Sequence, residues 1–313
     1  MSSKTIPIFY AADDNYAPYL AVSVTSLIAN ADKEYFYDIH VLTSPMSEEN
    51  KRRIGALSTE YASITFDDMG ERIKSIADKV SIRDYYSMAT YFRIFIANMF
   101  PEYDKALYID ADTVAVDDVA KLFNTDIGDA LIGGMPENVM LMDVFSRYSS
   151  IVLGVPNTEY FNAGLVLMNL EQFRATKMES RFIELLSRRK FPVAQDQDYL
   201  NLLCHGRVHY LPVEWNLDPV DIYKDKTPRF IHYKMHRRPW YSDGILFGEH
   251  FWAYTVQSGY HDEIVARKNA RTEADSKRDE DVMQSLCELA ESEVQAVLSG
   301  KEPCAKVYVP PIE

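Results

Sequence analysis

From Ala106 to Val114 an unbroken apolar and aromatic run leads into two carboxylates: Ala106-Leu107-Tyr108-Ile109-Asp110-Ala111-Asp112-Thr113-Val114. A short continuous apolar run of this kind reads as a strand covered on both faces. In an open α/β sheet, ligands bind beyond the carboxyl ends of such strands, which is where Asp110 and Asp112 fall. The residues upstream fit the same architecture. Ile6 to Ala12 reads as a strand, and a helix pattern follows from about Tyr19 to Ala29. Tyr37 to Leu42 reads as a second strand. Ser47 caps a helix opened by Glu48 and Glu49, with Ile54 and Leu57 three apart on one face. Ala62 to Phe66 makes a third strand. Strands alternating with helices imply a parallel sheet, so the expected class is α/β.

Two carboxylates spaced i, i+2 at a poorly solvated strand end repel each other and favour a cation between them. Hard oxygen ligands suit Mg²⁺ or Mn²⁺ better than zinc. An ion held by so few carboxylates completes its shell with water and a substrate phosphate, so the stretch predicts a metal–diphosphate site. Two other readings compete. Asp often does no more than cap a turn. Asp-x-Asp after a strand also resembles the first motif of haloacid-dehalogenase-like phosphatases, where the first Asp is the nucleophile and the second the general acid. No G-x-G-x-x-G follows the first strand and no G-x-x-x-x-G-K-[ST] occurs, which argues against the usual dinucleotide and P-loop sites. Asp13 and Asn15, at the end of the first strand, suit a nucleobase or ribose contact, with a plain turn as the simpler reading.

The 313 residues allow one large α/β domain with appendages or two small domains. The net charge of -14 argues against nucleic acid as a partner. It does not exclude a small phosphate ligand, because one metal ion reverses the local field. Cys204, Cys287 and Cys304 are odd in number and scattered, a pattern of free thiols in a reducing cytosol. The first residues do not read as a signal peptide and no stretch approaches ~18 apolar residues, so a soluble cytoplasmic protein without a transmembrane segment is expected.

Further along, Ser87 to Met99 reads as an apolar helix carrying Arg93, a residue rarely buried unless paired. Its alternative is an Arg snorkelling from a core helix. A short helix at Val119 to Phe123 and a loop precede a strand at Ala130 to Gly134, which leads to Glu137. A helix from about Val139 to Val152 follows. Small residues in Phe161-Asn162-Ala163-Gly164 would let a ligand approach the backbone of the next strand, although as structure alone the stretch reads as a tight turn. Lys177 to Lys190 is amphipathic, and Gln195-Asp196-Gln197-Asp198 opens a helix whose early acids suit capping. Short strands are expected at Val208 to Leu211 and Arg229 to Tyr233. A lone His is more often structural, but His232 stands in a basic, aromatic stretch within an acidic protein, which points to an anion nearby. Residues 1–260 are expected to form the main domain. Residues 261–313 would form an acidic helical appendage, with Val307 to Pro311 as its tail.

Six of these stretches together resemble glycosyltransferase family 8, above all its bacterial lipopolysaccharide galactosyl- and glucosyltransferases, with glycogenin as a eukaryotic relative. In the family's order they are AADDNY (Ala11 to Tyr16), TYFR (Thr90 to Arg93), YIDAD (Tyr108 to Asp112), FNAG (Phe161 to Gly164), QDQD (Gln195 to Asp198) and HY…PW (His232 to Trp240). The likeness covers roughly Ile6 to Trp252, and six ordered motifs are far more specific than one. The phosphatase reading gives way, because Asp110 lies too deep in the chain and no downstream Lys and acidic pair is spaced as such enzymes need.

The resemblance implies a GT-A fold, a Rossmann-like mixed sheet flanked by helices, and a UDP-sugar donor. Asp13 and Asn15 would hold uridine, with Ala11, Ala111 and Arg238 also at the nucleotide. Asp110, Asp112 and His232 would ligate Mn²⁺, with Mg²⁺ as the alternative ion. Arg93, Asn162 and Asp196 would contact the donor sugar, and Gln197 would face the anomeric carbon. Gln197, Asp196 and Arg93 are the implied catalytic set. Such enzymes transfer a hexose, here glucose or galactose, to a glycan or glycoconjugate with retention of configuration. Front-face attack is expected, since an amide is a poor nucleophile; Asp196 is the carboxylate to test for double displacement. Glu137 is a candidate acceptor contact. Two features depart from the family: Met235 and Arg238 stand where Gly and Lys are usual. Arg238 still suits phosphate, whereas Met235 narrows the approach. The acidic tail argues against direct binding to anionic lipid, leaving only a loose association with the inner membrane face. Glycogenin's self-glucosylating arm is not recognisable. A sugar-nucleotide-binding protein without transfer activity is the rival reading.

Overall fold

The computed structural model describes residues 4–43, 45–74 and 88–312. Nine strands occur among them: β1 (Lys4–Ala11), β2 (Tyr35–Thr43), β3 (Ala62–Asp68), β4 (Lys105–Asp110), β5 (Thr113–Ala115), β6 (Ile132–Pro136), β7 (Phe161–Asn169), β8 (Val208–Tyr210) and β9 (Phe230–His232). The chain divides into two compact units. One comprises Met1–Gly70, Ala106–Asp126 and Pro212–Asp279; the other comprises Glu71–Lys105, Ile127–Leu211 and Glu280–Glu313.

The first unit carries parallel strands in the order β3-β2-β1-β4. The apolar run between Ile6 and Tyr10 is wholly buried, as the unbroken hydrophobicity of a doubly covered strand requires. Ile8 pairs with Leu107 and Ala11 with Asp110, so the first motif and the Asp-Ala-Asp motif end side by side. The helix Ala17–Ala29 has Pro18 in its first turn and buries nearly every side chain. Its Ser26 hydroxyl accepts the Ala115 N–H at 2.9 Å, and Asn30 donates to the Ala115 carbonyl at 3.1 Å. These bonds hold β5, a strand too short to announce itself by periodicity, and β5 pairs antiparallel with β9. The Ser47 cap is formed as expected, with its hydroxyl accepting from Asn50 N–H.

In the second unit β6 pairs antiparallel with β7 and parallel with β8, with an irregularity between Gly133 and Met135. The helix Met178–Arg188 buries Phe182, Leu185 and Leu186 along one face, while Asp196–Cys204 is buried almost throughout. The final long helix, Glu273–Leu298, presents Leu286, Ala290 and Val294 as a buried stripe at four-residue spacing. Arg147 and Arg189 bind its Glu291 and Glu293, and the Pro310 carbonyl accepts from Arg181, so the tail is docked.

Two expected helices are wound differently. Ser87 lies outside the described residues. Beyond it, Met88–Phe95 is a 3-10 helix and only Ile96–Met99 is α-helical. A 3-10 turn eclipses side chains at i and i+3, which sends Thr90 and Arg93 the same way. The stretch expected as one helix from Val139 to Val152 is broken into a 3-10 turn (Asn138–Leu141), a short α-helix (Asp143–Arg147) and a π-helical turn (Tyr148–Leu153). Gly154, at φ 72, ends that last turn.

Candidate functional site

Within the first unit, Asp110 stands at the end of β4, Asp112 just before β5, and His232 at the end of β9. β5 pairing sets Thr113 opposite His232, and the Tyr233 N–H donates to the Asp112 carbonyl at 2.9 Å. The turn between the carboxylates is fixed from beneath by hydroxyls. Tyr10, Ser23 and Thr113 are linked in sequence at 3.1 and 2.9 Å, and Thr113 donates to the Asp110 carbonyl at 2.7 Å. Tyr108, two residues back on the same strand face, donates to the Asp110 carboxylate at 3.0 Å.

One ligand atom from each of Asp110, Asp112 and His232 lies within 4.8 Å of the others. His232 Nε2 is 3.3 Å from Asp112 Oδ1 and 3.9 Å from Asp110 Oδ2. Arg238 donates to Asp112 Oδ2 at 3.1 Å, as well as to Tyr241 and the Tyr233 carbonyl. Burial pushes the Asp112 carboxyl up, but the His232 imidazole and the Arg238 guanidinium outweigh it and hold it down at about 2. Asp112 is therefore ionised at neutral pH. Two carboxylates and an imidazole at this spacing fit Mn²⁺, which takes mixed oxygen and nitrogen ligands more readily than Mg²⁺.

The other residues expected at the nucleotide lie in the same unit. Ala111 is buried between the carboxylates. Asp13 spends one oxygen on the Tyr16 N–H at 3.1 Å, and the exposed Asn15 receives Arg267 on its carbonyl at 2.7 Å. Asp14 is engaged elsewhere, accepting from the Ser47 N–H and the Asn50 amide. Met235 lies between His232 and Arg238 at φ 58, in the left-handed region.

The second unit gathers Arg93, Asp196, Asn162 and Gln197. Arg93 Nε is 2.9 Å from Asp196 Oδ2, with both side chains 4% exposed. Arg93 also donates to the Thr90 and Ala163 carbonyls, and the Thr90 hydroxyl binds Asp196 Oδ1. The Arg93 expectation of a buried, paired guanidinium is thereby met. Gln197 Oε1 accepts the Ala163 N–H at 2.9 Å, and its Nε2 donates to the Tyr160 hydroxyl at 3.4 Å. Tyr160 in turn donates to Asp198, which also receives Tyr148 and the Ala194 N–H. Burial lifts the Asp198 carboxyl to about 6 despite those donors. Glu137 is buried, accepting from the Val139 N–H at 3.1 Å and from the Asn162 amide. Sequence reasoning passed over Thr113, Tyr160 and Asn216. The first two lie beside motif residues; Asn216 carries no local signal.

The α/β fold, with Asp110 and Asp112 beside the ends of parallel strands, is the GT-A fold of glycosyltransferases. The solved galactosyltransferase LgtC, determined with donor and acceptor sugar analogues, matches 80% of this chain and 96% of its own, at a TM-score of 0.67 and 28% identity. The chain belongs to glycosyltransferase family 8: the model of Glycosyl transferase family 8 matches residues 7–244. A putative glycosyltransferase of Haemophilus influenzae is 30% identical over 226 residues, covering 70% of this chain and 65% of that protein. The lipopolysaccharide 1,3-galactosyltransferase of Salmonella typhimurium is 29% identical over 257 residues, 76% of this chain and 73% of that protein. Among the described residues, no helix is long and apolar enough to cross a membrane.

Proposed function

We propose that this protein is a Mn²⁺-dependent retaining glycosyltransferase that moves glucose or galactose from a UDP-sugar to a glycan or glycoconjugate acceptor. The observation that carries the reading is the convergence of Asp110, Asp112 and His232 within 4.8 Å. Relatives named as lipopolysaccharide galactosyl- and glucosyltransferases support the hexose. Residues 1–260 carry the machinery and 261–313 form the appendage, a reading supported by a family match that ends at residue 244. The three free cysteines support a reducing, cytoplasmic setting.

Asp110, Asp112 and His232 would hold the ion, which supplies a Lewis acid for charge developing on the leaving diphosphate. Asp13, Asn15, Ala11 and Ala111 serve the nucleotide, and Arg238 the diphosphate. Arg93, Asn162 and Asp196 orient the hexose. Gln197 and Asp196 also bear on the stereochemistry. Gln197 is pinned at both amide atoms, and an amide is a weak nucleophile. Asp196 shares its charge with Arg93 and its lone pairs with Thr90, which blunts it as a nucleophile too. Front-face transfer follows. The acceptor hydroxyl bonds to the anomeric carbon as the carbon–oxygen bond to phosphate breaks, and its proton passes to the departing phosphate oxygen. Glu137 holds the Asn162 amide and is a weaker candidate for an acceptor contact.

Titration of UDP into the protein with Mn²⁺, then with EDTA, tests the reading. Binding that needs the ion is expected, as is loss of transfer in Asp112→Asn and His232→Ala. Failure to bind UDP in either buffer, or normal turnover in either variant, overturns it.

A further inference from the structure

We infer that Asn216 is a positioning residue for His232, fixing the ring tautomer that leaves Nε2 free for a cation; the inference rests on the metal reading above. Asn216 closes a 3-10 turn, Val213–Asn216, that opens after Pro212. The next residue joins β9: Leu217 N–H donates to the Phe230 carbonyl at 2.9 Å, and His232 N–H donates to the Leu217 carbonyl at 3.0 Å. This parallel bridge, Leu217 beside Ile231, lays the Asn216 side chain against the imidazole. Both residues are buried, at 9% and 4% exposed, so water does not compete for the contact.

Asn216 Oδ1 lies 3.0 Å from His232 Nδ1. An amide oxygen only accepts, so Nδ1 carries a proton, and Nε2 is the nitrogen left to offer its lone pair to a cation. Nε2 is the atom that faces Asp112 Oδ1 at 3.3 Å and Asp110 Oδ2 at 3.9 Å. Were Nδ1 unprotonated, the ring proton would sit on Nε2, bond to Asp112 and occupy the place of a cation. Histidines that bind metals are commonly oriented through their second nitrogen by a carboxylate or carbonyl. A neutral amide does this here without adding a third negative charge beside Asp110 and Asp112.

Mn²⁺ is titrated into the full chain without nucleotide, and free ion is counted from its six-line paramagnetic resonance spectrum. Asn216→Ala is expected to weaken Mn²⁺ binding by roughly 10–100-fold, the range for such outer partners. Asn216→Asp, which keeps the acceptor, should restore binding to within about threefold of wild type. Long-range ¹H–¹⁵N spectra of the metal-free wild-type chain should show His232 protonated at Nδ1, a readout that needs no variant. An Nδ1 without a proton, an unchanged affinity in Asn216→Ala, or an Asn216→Asp chain as weak as the alanine variant overturns the inference. Absence of Mn²⁺ binding by the wild type overturns the metal reading itself, and this assignment with it.

Discussion

His40, on β2, offers a test of the fold's electrostatics in an accessible pH range. Its Nδ1 lies 3.0 Å from Asp67 on β3 and its Nε2 3.8 Å from Asp38, while its ring stacks on Phe9. Burial pushes the imidazole down, but Asp38 and Asp67 outweigh it and lift it from 6.5 to about 9. A proton held more tightly in the folded state stabilises that state. The stabilisation is complete below pH 6.5 and is lost as pH rises through 9. A lift of that size corresponds to roughly 3 kcal/mol. The two carboxylates are 23% and 29% exposed, so solvent screening leaves about 1.5 kcal/mol. Urea unfolding followed by tryptophan fluorescence reads this directly, since Trp215, Trp240 and Trp252 lie in the same compact unit as His40. Between pH 6 and pH 9.5 the wild type should lose about 1.5 kcal/mol more than His40→Gln, and 1 M salt should shrink the difference. Parallel pH profiles for the two proteins would refute the reasoning.

Three further outcomes are expected. Met235→Gly should raise stability by about 0.5–1 kcal/mol in urea, because relief of a left-handed non-glycine residue exceeds the added chain entropy. It should also tighten UDP binding in calorimetry, and a fall in both would count against a crowded phosphate approach. Gln195 occupies the first central position of a type II′ turn (φ 51, ψ -121, with Gln197 N–H donating to the Ala194 carbonyl), and both its amide atoms are buried without a hydrogen-bond partner among the described residues. Gln195→Gly should therefore raise the unfolding free energy by about 1–3 kcal/mol, and a lower urea midpoint would contradict this. Arg93→Lys keeps the charge but cannot reach Asp196, the Thr90 carbonyl and the Ala163 carbonyl together, so kcat/KM should fall about 100-fold; near-normal kinetics would remove Arg93 from the site.

What the chain discloses before folding follows the range of the interactions involved. The parallel half of the sheet is legible because β1 and β4 are largely apolar runs and Ser47 caps the helix that follows β2. Asp110 and Asp112 are legible for the same reason: chemistry placed at the end of a recognisable strand. The local stretch around His232 points only to an anion; its place as a metal ligand came through the motif resemblance, since nothing local says that β9 pairs with the three residues after Asp112. The winding of Met88–Phe95 was hidden because apolar periodicity barely separates 3-10 from α over two turns. There the deciding contact is Asp196, about a hundred residues away, which collects Thr90 and Arg93 on one side. Asn216 was illegible altogether, because its role depends on a single pairing of Leu217 with Ile231.

On the metal reading proposed above, the charge of the Asp110, Asp112 and His232 cluster would explain how a protein at -14 hosts a diphosphate. Asp110 and Asp112 bring two negative charges to the site. Arg238, bound to Asp112, returns one positive charge, and His232 held through Asn216 adds none in its neutral form. Whether or not that ring is charged, the cluster without an ion would carry no net positive charge and would not attract phosphate. A divalent cation makes the same cluster positive by one, in surroundings where Asp112 and Arg238 are nearly sealed from solvent and the field is little screened. On that reading the ion would be a condition of nucleotide binding and not only a later aid to catalysis. It follows that Arg238→Met should weaken UDP binding while leaving it dependent on Mn²⁺, whereas EDTA should abolish binding even with Arg238 in place. UDP binding of similar strength with and without the ion would show that Arg238 alone carries the diphosphate and that this count of charges is wrong.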